Sequence, residues 1–171
     1  MKAPDLPAVT AATPDGEPTP LGRYNGFEIY PMPFFTRLET RDPAALAQWY
    51  ERALGFAVVF RGPLIHLRRM KYQDVLIGPG TNDATAACGC PVLAFGADGV
   101  VDALAQRAAA VPPLGRSLAG EPVDTPWNTR ELTVVDPAGH RIVFTSRSPQ
   151  PDPEGHERWR ALFAAGREPS P

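Results

Sequence analysis

Apolar and polar positions alternate in a repeating order between about residues 31 and 147. Residues 34–40 alternate and predict a strand. Asp42 is a helix N-cap with Pro43 at the first helical position. Leu46, Trp49, Tyr50 and Leu54 then recur at helical spacing on one face, and Gly55 ends the helix. Three strands follow at 57–61, 64–70 and 74–77, broken at Gly62-Pro63 and near Lys71-Tyr72 and closed by Gly78-Pro79-Gly80. The order then recurs. A strand at 92–95 precedes a helix at 98–110 with Val101, Leu104 and Ala108 inward. After these come a weak strand at 116–119 and strong strands at 130–135 and 141–145, joined by the turn Asp136-Pro137-Ala138-Gly139. Strand, helix, three strands occurs twice with a period of about 57 residues, so the chain predicts an internal duplication.

The flanks lack this periodicity. Pro4, Pro7, Pro14, Pro18 and Pro20 each remove a backbone donor, so residues 1–30 are expected to be a flexible Pro-rich arm. Pro149, Pro151 and Pro153 open a tail at 148–171. In it, Trp159, Leu162 and Phe163 have the spacing of a short helix. One domain at 31–147 is expected, with module one at 31–80 and module two at 90–147. Its fold class is α+β, duplicated βαβββ modules forming a curved-sheet cup.

The alternation sorts each strand into two faces. With Leu38 under the helix, Phe35, Arg37 and Glu39 face the cup. With Leu132 and Val134 packed, Glu131 and Thr133 face it, and with Ile142 and Phe144 packed, so does Val143. Asp74 is placed inward by the same rule, as are His66 and Arg68. Trp127 precedes an inward strand and offers a stacking surface, with Phe35 and Phe60 as further walls. Glu39, Glu131 and Asp74 offer partners for a cationic group, and Arg37 and Arg68 for an anionic one.

Composition narrows the partners. The 171 residues are 43% hydrophobic and 21% charged, with a net charge of −2. These are globular values, and so mild a charge gives no long-range attraction to nucleic acid or an anionic membrane. The N-terminus has no apolar signal region, and no run nears the ~20 apolar residues of a membrane span, so a cytoplasmic protein is expected. Cys88 and Cys90 stand alone, and His66, His140 and His156 are scattered. Neither set has metal-ligand spacing, and His140 and His156 are given no role.

Asp42…Trp49-Tyr50…Leu54-Gly55-Phe56, with Pro126-Trp127-Asn128-Thr129-Arg130-Glu131 and Asp136-Pro137-Ala138-Gly139-His140, resembles the vicinal oxygen chelate superfamily (glyoxalase, bleomycin resistance protein, extradiol dioxygenase). The Trp-x-x-Arg-Glu…Asp-Pro-Ala-Gly form most resembles its bleomycin-resistance branch. The resemblance implies that metal-using members carry His or Glu where this chain has Phe35, Val92 and Val143. Hydrocarbon side chains offer a cation no lone pair, so no metal and no cofactor are expected. It further implies a homodimer that binds a small organic molecule, such as an antibiotic or other natural product, and sequesters it unchanged. The alternative is a metal-free isomerase, cyclase or lyase of secondary metabolism using Glu131, Glu39 and His66 as general acid and base.

Overall fold

The computed structural model describes residues 22–24, 26–29, 32, 34–80, 92–97, 99–155, 157 and 160–161. Within them, β3 (Phe35–Thr40), β4 (Ala57–Arg61), β5 (Ile65–Arg68) and β6 (Asp74–Pro79) form one sheet in the order β3-β6-β5-β4. The β3–β6 pair is parallel and the other pairs are antiparallel. A second sheet contains β7 (Leu93–Gly96), β11 (Arg141–Arg147), β10 (Thr129–Val135) and β8 (Leu118–Ala119) in the order β7-β11-β10-β8, and β9 (Val123–Asp124) also pairs with β10. Its β7–β11 pair is parallel as well. Each parallel pair joins the first and last strands of its module, with a helix between: α1 (Pro43–Leu54) and α2 (Val101–Ala109). The duplication read from the sequence is the architecture: an α+β fold of two βαβββ units.

The helices begin and end for local reasons. The Asp42 carboxylate accepts the Ala45 N–H at 2.9 Å, and Gly55 adopts a left-handed φ of 71° that closes α1. Helix α2 starts at Val101 rather than at 98, because Gly99 has φ 79° and no side chain caps the first turn. Arg107 of α2 donates to the Arg52 and Glu51 carbonyls at 2.7 and 2.9 Å. These lie in the last turn of α1, where carbonyls lack helical partners and the dipole favours a cation.

One core joins the modules. Leu38, Tyr50, Leu54, Leu67, Val75 and Ile77 from module one pack with Phe95, Val101, Leu104, Leu132, Val134, Ile142 and Phe144 from module two. Phe56, Phe95 and Phe144 bridge them, with ring centroids 5.8 and 5.9 Å apart. The buried Tyr50 hydroxyl donates to Asp136 at 3.0 Å. Asp136 also accepts from the Ala138 and His140 N–H groups and lies 2.7 Å from His140 Nδ1. His140 thus orders the β10–β11 turn. Burial, then the charge and hydrogen bond of Asp136, hold the Tyr50 hydroxyl well above the usual tyrosine pKa.

Where proline density predicts an irregular arm, β1 (Gly22–Tyr24) and β2 (Phe27–Ile29) form an antiparallel hairpin. The hairpin begins after the last proline of the cluster, Pro20, so no donor is missing from its ladder. The weak strand expected at 116–119 is reduced to two residues, and β9 takes up the pairing with the far end of β10. Cys88, Cys90, His156, Trp159, Leu162 and Phe163 lie outside the described residues, so the predicted tail helix is largely outside them too.

Candidate functional site

Each sheet has its helices on one face and leaves the other open. On module one, cross-strand register assembles two rows across the open face: Phe60, His66, Leu76 and Arg37; and Ala57, Arg68, Asp74 and Phe35. Phe60 reaches this face through a β-bulge. Val58 pairs with Leu67 and Phe60 with His66, so Val59 is the extra residue, and it is buried. Phe35, Arg37, Glu39, Phe60, His66, Arg68 and Asp74 therefore share one surface.

Much of that surface is internally satisfied. Asp74 is 1% exposed and Arg68 7%. One carboxylate oxygen of Asp74 lies 2.8 Å from Arg68 Nε and 2.6 Å from His66 Nε2. Arg68 also donates to the Glu28 carbonyl at 2.7 Å, and Tyr24 meets Phe60 edge-on with centroids 6.4 Å apart. The hairpin therefore lies over this half of the face. A carboxylate buried this deeply is stable as an ion only with such partners, and it is spent on them rather than turned outward. Arg37 pairs with Glu39 at 3.2 Å in the open, an arrangement of little energetic weight.

Module two differs. Its open face carries Leu118, Val123, Thr129, Glu131, Thr133, Val135, Arg141, Val143, Thr145 and Arg147, aligned by the pairing of β8, β9, β10 and β11. Leu118 is 66% exposed and Val123 60%. Trp127 stands on the tight turn between β9 and β10. Asn128 closes that turn in the left-handed region, at φ 64°, where a short polar side chain is tolerated. The Asn128 amide exchanges hydrogen bonds with the Asp152 backbone at 2.7 and 3.2 Å and so fixes the tail beside the turn. Trp127 Nε1 donates to Glu131 Oε1 at 3.2 Å, and the Thr129 hydroxyl donates to the same oxygen at 2.9 Å. The indole is thus held by its edge and remains 45% exposed. Trp127, Thr129, Arg147, Pro151 and Pro153 line an apolar groove of about 570 Å³.

The sequence-predicted residues thus fall into two groups on two sheets, with Trp127, Glu131, Thr133 and Val143 on the second. Arg147 and the two tail prolines were not anticipated. Extending the β11 alternation from Val143 through Thr145 places Arg147 on the same face. Neighbouring Arg130, of opposite parity, forks onto Asp102 and reaches Asp124 at 2.8 Å, locking α2 to β10 and β9. That hydrogen bond holds the Asp102 carboxyl below its usual pKa.

No protein-family model and no curated protein matches the sequence. Solved structures do match. TioX from Micromonospora sp. ML1 is 22% identical, with a TM-score of 0.54 over 67% of this chain and 97% of that one. The bleomycin-binding protein of bleomycin-producing Streptomyces verticillus, complexed with copper(II)-bleomycin, is 20% identical, with a TM-score of 0.53 over 68% and 95%. A glyoxalase/bleomycin resistance protein/dioxygenase family enzyme from Burkholderia phytofirmans PsJN is 16% identical, with a TM-score of 0.52 over 65% and 94%. The chain has the fold of these proteins, the vicinal oxygen chelate fold expected from its sequence.

Metal-using members of that fold imply a divalent cation, and the described residues at the expected ligand positions offer it no donor. Phe35 and Val143 occupy the open faces where ligands are expected, and Val92 precedes β7. Among the described residues no three His, Cys, Asp or Glu side chains cluster to hold a metal ion. Among the same residues no helix is long and apolar enough to cross a membrane.

Proposed function

We propose that this chain binds a small, flat organic molecule on the open face of module two and releases it unchanged, a metal-free sequestration of an antibiotic or other natural product. The observation that carries the reading is the Trp127 indole, held by its edge and bared to an apolar groove. The structural likeness to bleomycin-binding proteins supports it. Binding is favoured over catalysis by the state of the candidate acids and bases. His66 is tied to Asp74 and Glu39 to Arg37, while Glu131 stands on the other sheet.

The working unit in this reading is a homodimer in the cytoplasm. The helices lie behind both open faces, so neither face closes a pocket within one chain. Leu118 and Val123, exposed on the open face, are apolar side chains of the kind a second copy covers.

A thermal-shift screen of flat natural products, including DNA-damaging antibiotics, tests the reading. A ligand at 100 times its Kd adds about 2.7 kcal/mol of stability. The expected result is a shift that Trp127→Ala abolishes, with the ligand recovered intact by mass spectrometry. A chemically altered ligand, or a large shift by zinc, nickel or manganese alone, would overturn it.

A further inference from the structure

The charges on module two's open face are unevenly matched. Arg141 and Arg147 stand at opposite ends of β11, and Glu131 is the carboxylate between them on β10. Glu131 Oε1 already accepts from Trp127 and Thr129. Arg130 next door is saturated by Asp102 and Asp124, whereas Arg147 forms no ion pair among the described residues. Arg147 is exposed and lines the same apolar groove as Trp127. A planar fork of donors beside an aromatic face suits a ring system that carries a carboxylate, sulfonate or phosphate. The groove's hydrocarbon walls, Pro151 and Pro153 among them, reduce solvent screening of such a pair.

We infer that the groove selects flat aromatic anions, Trp127 taking the ring and Arg147 reading the charge, over neutral or cationic molecules of the same shape. The inference rests on the small-molecule reading above and narrows its ligand class.

Two dyes with one ring system test it: 8-anilinonaphthalene-1-sulfonate and its uncharged parent, N-phenyl-1-naphthylamine, titrated by fluorescence into the full chain. The sulfonate binds about tenfold more tightly, the size expected of one charge-assisted hydrogen-bonded contact. The preference shrinks with added salt. Arg147→Gln removes it, weakening the sulfonate about tenfold more than the neutral dye. Arg141→Gln, about six residues or roughly 20 Å along the strand, preserves it. Equal affinities in the parent protein, or a preference that survives Arg147→Gln, overturn charge selection alone, provided Trp127→Ala weakens both dyes. If neither dye binds, or both bind undiminished to Trp127→Ala, the small-molecule reading fails along with it.

Discussion

The open faces of modules one and two are built by the same strand order but put their polar groups to different uses. On module one, Arg68, His66 and Asp74 satisfy one another beneath a hairpin that adds the Glu28 carbonyl and the Tyr24 ring. On module two, Val123 and Trp127 stay exposed, and Arg147 forms no ion pair among the described residues. A duplicated scaffold can thus bury charges on one open face and leave those on the other exposed. Charged residues on a sheet face do not by themselves mark a site: module one buries its Arg68–Asp74 pair, whereas module two leaves Arg147 exposed.

Stability measurements can break this contrast. Asp74→Ala leaves Arg68 buried without its carboxylate and is expected to cost about 3–5 kcal/mol in urea unfolding. A loss below 1 kcal/mol would show that the module-one cluster is not structural. Tyr50→Phe strands one buried acceptor lone pair on Asp136 and is expected to cost about 1–3 kcal/mol. It also carries a pH signature. The folded-state pKa of Tyr50 is raised, so its contribution is complete below the unfolded value near 10 and is lost as pH rises beyond it. The parent protein should therefore weaken above about pH 10 more steeply than Tyr50→Phe does. A smaller effect sharpens the other side. Glu131→Gln and Thr133→Ser, on the bare face, should change stability by no more than about 0.5 kcal/mol. A loss comparable to that of Asp74→Ala would make module two as self-satisfied as module one. Smallest of all, Glu39→Gln removes an exposed pair with Arg37 and should leave the unfolding midpoint within error.

Period-2 and period-3.6 patterning made the duplicated fold legible. Leu38, Val75, Ile77, Leu132, Val134, Ile142 and Phe144 are buried as their parity predicts. Parity orients a side chain but is silent about what comes to lie on it, and this hid the difference between the two cups. The covering hairpin carried its own signal, Asn25-Gly26 between Gly22-Arg23-Tyr24 and Phe27-Glu28-Ile29, the dipeptide that favours a two-residue β-turn. Five nearby prolines masked it. The groove was illegible because one wall comes from Pro151 and Pro153, brought to Trp127 by the Asn128–Asp152 clasp and by the hydrogen bonds of Ser148 to Asn128 and Asp124. Those contacts have no periodicity in the sequence.

The Tyr50–Asp136 hydrogen bond bears on how such a chain could be divided. Separated between its repeats, the first half would carry a phenol in an apolar surface without its acceptor, and the second a carboxylate without its donor. Expressed apart, the halves should remain unfolded until mixed and then fold as they associate. The repeat is thus a structural unit that is not expected to fold on its own.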